Sequence, residues 1–175
     1  MISINSIGKV DQEHKHFIIY KPFGYLSQFI NNQRRRTNKK LLGELHDFPD
    51  GVMSVGRLDQ DSEGLLLLTT NGKLSALVTG RKIEKEYYIQ VDGLVTDEAL
   101  DALEKGVDIS IKGKTYRTLP AVCSRVEDEP FTGERARKVR DERHGPTSWM
   151  SVCIREGKFR QVRKMAAAVG FPVLR

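Results

Sequence analysis

The stretch VGRLDQDSEGLLLLT, residues 55–69, joins an acidic turn to a run of four leucines. Asp59, Asp61 and Glu63 alternate with polar residues, and Gly64 separates them from the leucines. A short apolar run bounded by turn residues is typical of a β-strand that is buried on both faces. We therefore expect a fully buried strand after Gly64, with three carboxylates in the turn that leads into it.

Other local patterns alternate between strand and helix on both sides of this stretch. Upstream, residues 16–20 predict a strand that ends at the Pro-Gly turn of residues 21–24, and leucines at 41, 42 and 45 predict a short helix. Downstream, we expect a helix near 74–78, a strand over 85–91, a capped helix over 96–106, a strand at 150–154 and a helix over 159–169. Strands and helices in this irregular order predict an α+β fold with a mixed sheet.

Composition bounds the class of protein. The chain has 175 residues and a formal net charge of +6, with 39% apolar and 30% charged residues, which suits a globular chain of about one domain. It contains no apolar run of the roughly 20 residues that a bilayer span needs. Two cysteines are too few for a zinc cage or a disulfide framework. We expect a cytoplasmic protein, and the basic charge favours a polyanionic partner.

The acidic stretch has several possible roles. A calcium loop is excluded because Thr70 occupies the twelfth position, where a bidentate Glu is required. A pair of glycosidase carboxylates and a plain polar turn both remain open. Asp59 stands out because it lies at the mouth of a predicted strand, where binding sites of α/β proteins tend to lie. A carboxylate there can act as a nucleophile if nearby cations keep it ionised.

The predicted helix near the C-terminus can supply those cations. Arg160, Arg163 and Lys164 share one face close to the helix N-terminus, whose partial positive charge also favours an anion. A solvated basic face is the alternative. In the strand at 85–91, alternation turns Tyr87 inward and Tyr88 outward, which suits either a site residue or a core tyrosine.

Four motifs together resemble the RsuA-type ribosomal RNA pseudouridine synthases. They occur in family order and span most of the chain: KPFG at 21–24, VGRLDQDSEGLLLLT at 55–69, KEY at 85–87 and EGKFRQVRKM at 156–165. The resemblance implies the pseudouridine synthase catalytic fold, in which a mixed, mainly antiparallel central sheet forms two lobes flanked by helices. The catalytic cleft lies between the lobes.

The resemblance also implies roles for individual residues. Asp59 is implied to be the catalytic nucleophile, and Tyr87 to stack on the target base. Arg163 is implied to form the salt bridge that keeps Asp59 ionised, and Arg57 to fill the space left by the flipped base. The isomerisation of uridine to pseudouridine involves no redox step, so no cofactor and no metal are expected. Whether Asp59 attacks C1′ of the ribose or C6 of the base is left open.

The chain departs from the family pattern in several places. We expect residues 1–14 to form an N-terminal tail and 15–175 the catalytic domain, without the S4-type RNA-binding domain that many members carry. Family members usually continue beyond the Leu174-Arg175 end, so we expect a truncated C-terminus. Lys158-Phe159 replaces an Arg-Asn pair, and Lys164 stands where Arg is commoner.

The expected partner is large-subunit ribosomal RNA, bound by a monomer without a membrane or a small-molecule cofactor. Two basic segments, 31–40 and 134–143, are the candidates for phosphate contacts, with solubility as the alternative explanation. The predicted RNA-contact residues are Lys21, Arg34, Arg35, Arg36, Arg57, Arg137, Arg140, Arg160 and Lys164. The rival function is a non-catalytic RNA-binding or ribosome-assembly protein on the same scaffold.

Overall fold

The leucine run forms β5 (Gly64–Thr69), the middle strand of a three-stranded antiparallel sheet. The computed structural model describes residues 13–30, 39–130, 138–139 and 142–175. In this first sheet, β1 (His16–Lys21) lies on one side of β5 and β4 (Met53–Val55) on the other. The acidic loop, residues 56–63, therefore connects two neighbouring strands at one end of the sheet.

The expectation that β5 is buried on both faces is wrong. Leu66 and Leu68 are buried, whereas Leu65 is 68% exposed and Leu67 is half-buried. Successive side chains of a strand point to opposite faces, and this antiparallel sheet packs only one of its faces. Four consecutive leucines conceal that alternation.

A small core covers the packed face of the first sheet. Leu42, Leu66 and Leu68 are its buried members, and the rings of Phe17 and Phe29 each meet Phe48 edge-on at centroid distances of 5.5 and 5.4 Å. The predicted helix around residue 42 is a single 3₁₀ turn, Leu42–Glu44. It follows β3 (Lys40–Leu41), which pairs in parallel with β2 (Tyr25–Leu26).

The second sheet has its longest strand in the middle. β10 (Thr147–Ile154) pairs antiparallel with β6 (Lys85–Asp92) on one side and with β9 (Val122–Val126) on the other. Along β6 the alternation is as predicted, because Tyr87 packs against the core while Tyr88 is exposed. Val152 and its neighbours on β10 anchor the larger core of the molecule.

Helices and one hairpin complete the described structure. α1 (Gly72–Thr79) begins at Asn71, whose side chain accepts from two backbone amides, and α2 (Asp97–Glu104) is capped by Thr96. β7 (Asp108–Ile111) and β8 (Lys114–Arg117) form the hairpin, which packs against α3 (Gln161–Ala168). A 3₁₀ turn occupies Glu142–His144. The fold is α+β with mainly antiparallel sheets, as predicted.

Candidate active site

The acidic loop is held in place by hydrogen bonds from the segment after β1. The buried Ser27 hydroxyl donates to the carbonyl of Leu58 at 2.9 Å and accepts from its amide at 3.0 Å. The Gly24 amide donates to the carbonyl of Gln60 at 2.8 Å, and the Gln60 side chain returns a bond to the Gly24 carbonyl. These four bonds fix the backbone on both sides of Asp59.

Two arginines of α3 face the carboxylates of the acidic loop. Arg160 Nη1 lies 3.4 Å and Arg163 Nε 3.6 Å from Oδ2 of Asp59. Arg160 also forms a two-pronged contact with Asp61 at 3.0 and 3.2 Å, and Arg163 Nη2 lies 3.5 Å from the same carboxylate. Asp59 and Arg163 are therefore close together, as predicted, and they belong to a cluster of two carboxylates and two guanidinium groups.

The backbone of Arg160 has an unusual conformation. Its φ of 53° and ψ of 36° are left-handed, a region that non-glycine residues rarely adopt. Gln161 is buried directly behind it and accepts from the Lys158 amide at 2.9 Å. The tight turn from Lys158 to Gln161 brings the Arg160 side chain to the acidic loop at the start of α3.

Glu156 anchors this turn; it is the first residue of the motif at 156–165, but no sequence pattern assigns it a role in the site. Its carboxylate is buried and accepts from the Tyr116 hydroxyl, from the Leu119 amide at 2.9 Å and from the Gln161 side chain at 2.6 Å. Burial raises the pKa of Glu156, but these donors outweigh it, so the net pKa is lowered. The ionised carboxylate therefore ties α3 to β8.

The charges of the cluster reinforce one another. Burial raises the pKa of Asp61, but hydrogen bonds from Arg160 and the charge of Arg163 outweigh it, and the net pKa is lowered. Hydrogen bonding to Asp61 raises the pKa of Arg160. Asp61 is thus the main partner of Arg160, which leaves Arg163 shared between the two carboxylates.

Tyr87 faces the same cluster from β6. Burial raises the pKa of its hydroxyl, and the negative charge of Asp59 raises it further. The phenol therefore stays protonated at neutral pH. An acid from the loop of the first sheet is therefore near enough to a tyrosine of the second sheet to act on its pKa.

Lys21 does not face solvent, which corrects its assignment as an RNA contact. Its side chain is fully buried, and its ammonium donates to the carbonyls of Pro22 at 3.0 Å and Tyr25 at 2.8 Å. Burial lowers its pKa to about 8 despite the opposing charges of Asp61, Glu63 and Asp59. It stabilises the KPFG turn and the underside of the acidic loop and cannot reach a phosphate.

The other predicted RNA contacts have different surroundings. Arg57 is exposed, whereas the Arg160 side chain, 35% exposed, pairs with Asp61. The contact of Arg160 with RNA stays a prediction. Lys164 donates to the Ser110 carbonyl at 2.7 Å. The remaining predicted contacts lie outside the described residues: Arg34, Arg35, Arg36, Arg137 and Arg140.

A further ion pair joins the acidic loop to the last residue. Arg175 Nε lies 2.6 Å from Glu63 Oε1, and both side chains are about nine-tenths buried. No sequence spacing predicts a pair that is separated by 112 positions. Within the described ranges, no cluster of three or more His, Cys, Asp or Glu side chains could hold a metal ion. No helix there is long and apolar enough to span a membrane.

The geometry around Asp59 suits nucleophilic chemistry. Asp59 keeps a quarter of its side chain exposed, so one carboxylate edge is accessible while two guanidinium groups stabilise its charge. A protonated tyrosine ring nearby offers a flat surface to a planar ligand.

Comparison with known proteins gives a consistent result. Residues 15–168 match the family described as RNA pseudouridylate synthase. The chain is 42% identical over 170 residues to a Vibrio parahaemolyticus protein named ribosomal large subunit pseudouridine synthase E, covering 95% of this chain and 67% of that protein. A Xanthomonas campestris protein of the same name is 41% identical over 160 residues, covering 90% of this chain and 82% of the relative.

More distant matches have similar names. A Bacillus subtilis protein named ribosomal large subunit pseudouridine synthase B is 31% identical over 176 residues, covering 99% of this chain and 64% of the relative. A solved structure described as a pseudouridylate synthase superposes with a TM-score of 0.69 at 27% identity, covering 92% of this chain and 60% of that one. The chain thus spans about two thirds of the length of the Vibrio relative.

Proposed function

Since the chain belongs to the RNA pseudouridylate synthase family, we propose that it isomerises uridine to pseudouridine in large-subunit ribosomal RNA, with Asp59 as the nucleophile. Residues 15–175 then form the catalytic domain. The reaction breaks the C1′–N1 bond and joins C1′ to C5; the proton on C5 is lost and N1 gains one, so no atoms are added and no electrons are transferred overall. The observation that supports the proposal is the proximity of Asp59 to Arg163, 3.6 Å away, together with the influence of the Asp59 charge on Tyr87.

Each part of the cluster has a task in this chemistry. Asp59 attacks the nucleoside, and the guanidinium groups of Arg160 and Arg163 stabilise the anion that attack requires. The target uridine must leave the helical stack, at a cost of a few kcal/mol. Stacking of the base on the Tyr87 ring returns about 1–3 kcal/mol of that cost.

The choice of RNA rests on the relatives. Proteins 40–42% identical to this chain are named large-subunit synthases of type E, and more distant ones are named type B. We extend their substrate class to this chain and propose large-subunit ribosomal RNA as its partner.

Release of tritium from 5-tritiated uridine in protein-free large-subunit ribosomal RNA tests the proposal. The protein should release tritium, and Asp59→Asn should lower the rate at least a thousandfold because an amide is not a nucleophile. Asp61→Asn is the matched control, since it changes the same group two residues away and should lose only about tenfold.

The outcomes separate the alternatives. Release by Asp59→Asn equal to that of the unchanged protein would contradict the nucleophile assignment. RNA binding without any release by the unchanged protein would favour the non-catalytic RNA-binding alternative. Circular dichroism of both variants checks that the fold is intact.

A further inference from the structure

A second basic surface lies beside the candidate active site and includes residues that the proposed chemistry does not use. The β7–β8 hairpin and the entry to α3 form it, and its cations are the lysines at 112, 114, 158 and 164. The arginines of the same segments are ion-paired: Arg117 with Asp108, and Arg160 and Arg163 with the acidic loop. Lys164 joins the two segments, because its ammonium donates to the Ser110 carbonyl at 2.7 Å. A second contact connects the same two segments, because the Lys158 ammonium lies 4.7 Å from the centre of the Tyr116 ring.

An exposed aromatic ring stands in the middle of this surface. Phe159 is 70% exposed, although a large apolar side chain is normally buried. The Lys164 ammonium lies 5.4 Å from the centre of its ring. Phe159 directly precedes Arg160, whose guanidinium is 3.4 Å from Asp59, so the ring belongs to the residue next to the acidic cluster.

The hairpin tip also presents a cation at a conformational cost. Lys112 and Gly113 form a two-residue turn with φ values of 51° and 77°. Such turns favour Asn-Gly because both residues need positive φ. Lys112 and Arg160 are the two non-glycine residues with positive φ in the described part of the chain. Residues held in such sparsely populated backbone conformations cluster at functional positions.

We propose that this surface binds single-stranded RNA next to the target uridine, with a base stacked on Phe159 and phosphates held by Lys112, Lys114 and Lys158. The ligand class rests on the proposed function, and the arrangement of a ring among cations matches the chemistry of single-strand binding.

Equilibrium binding of a protein-free fragment of large-subunit ribosomal RNA tests the surface without requiring catalysis. Phe159→Ala should raise the dissociation constant about 5- to 100-fold, whereas Phe159→Trp should restore binding to within about threefold. The ring is exposed, so neither variant should lower the melting temperature. A dissociation constant of Phe159→Ala within twofold of the unchanged protein overturns the stacking role.

Leu94→Ala is the matched control. Leu94 is a large apolar side chain, 63% exposed, just beyond the end of β6. The register pairs that end of β6 with the start of β10, whereas residues 155–160 follow the end of β10, about 25 Å away. The control should bind RNA like the unchanged protein, and an equal loss of binding there would overturn the assignment to this surface.

Lys112→Asn separates a binding role from a structural one. Asn suits the positive φ of the turn, so the variant should be at least as stable as the unchanged protein. It should nevertheless bind RNA more weakly, with the slope of log affinity against log salt reduced by about 0.7. An unchanged salt slope in Lys112→Asn overturns the phosphate role.

The two proposals fail in distinguishable ways. If the unchanged protein binds RNA and releases no tritium, while these variants weaken binding, the surface is supported and the catalytic proposal is overturned. If tritium is released and none of these variants changes binding, the surface is overturned and the catalytic proposal is supported.

Discussion

The two sheets contribute opposite charges to one site and differ in how firmly they are packed. The first half of the molecule, which contains the first sheet, supplies Asp59 and Asp61. The second half, which contains the second sheet and α3, supplies Tyr87, Arg160 and Arg163. Among the described residues, three apolar side chains are buried in the first core and thirteen in the second. The carboxylates therefore lie in the lightly packed half and their cationic partners in the heavily packed half.

The difference shows what holds the acidic loop in place. Its backbone is held by polar bonds from Ser27 and Gly24 and its side chains by arginines from the other half. The arginines themselves depend on α3, which Glu156 ties to the hairpin. The geometry around Asp59 thus depends on the contact between the halves as much as on either core.

The largest expected effect tests the difference between the cores. Met150→Ala should lower the free energy of unfolding by about 3–4 kcal/mol, because the side chain is fully buried on the central strand of the second sheet. Leu68→Ala should cost about 2–3 kcal/mol, because its partly buried neighbours can move into the cavity. Urea denaturation measures both values. A larger loss for Leu68→Ala would contradict the proposed difference.

The buried lysine of the first sheet predicts a pH dependence. Burial lowers the pKa of Lys21 from its ordinary value of 10.5 to about 8. Between these values the unfolded chain holds a proton that the folded chain lacks, so stability rises with pH. Relative to Lys21→Met, the protein should gain up to about 3 kcal/mol between pH 7.5 and 10.5. Urea denaturation at both pH values checks this, and a difference that does not vary with pH would contradict a buried ammonium.

The ion pairs between the halves predict unequal effects on catalysis. Arg163→Met should lower the rate of tritium release about 100-fold, or about 2.7 kcal/mol, because its mostly buried guanidinium is shared between both carboxylates. Arg160→Met should lower it about tenfold, because Arg160 serves mainly Asp61. Arg155→Met, which breaks an exposed pair with Glu84, is the control and should leave the rate unchanged. Equal losses for the two α3 arginines would count against the division of roles.

The smallest expected effect concerns the unpacked face of the first sheet. Ile18 is 74% exposed on β1, so Ile18→Ser should change the free energy of unfolding by less than about 0.5 kcal/mol. A loss above about 1.5 kcal/mol in urea denaturation would show that this face is covered in the folded protein.

Much of the fold follows from local patterns in the chain. The strands at 16–21 and 85–92, the cap at Thr96 and the helix after residue 160 lie within a few residues of their predicted bounds. The orientation of Tyr87 also follows from alternation alone. The expectation that the leucine run is buried on both faces is wrong because four identical residues carry no periodicity, and only packing distinguishes Leu65 from Leu66.

The candidate site was predicted in part. Motif order led to Asp59, Tyr87 and Arg163; in the structure Arg163 lies 3.6 Å from Asp59, and the charge of Asp59 acts on Tyr87. It did not lead to the pairing of Arg160 with Asp61, to the role of Glu156, or to the burial of Lys21. The identity of a charged residue does not show whether its partner is water, a phosphate or another side chain.

The sequence by itself determined the kinds of elements, the family and the residue types available for chemistry, because periodicity, turn residues and motifs act over a few positions. Only the tertiary structure decided which charges meet. Arg160 and Asp61 are 99 positions apart, and Glu63 and Arg175 are 112 apart. Contacts at such separations depend on how the two sheets pack, and packing sums many weak interactions that no short segment encodes.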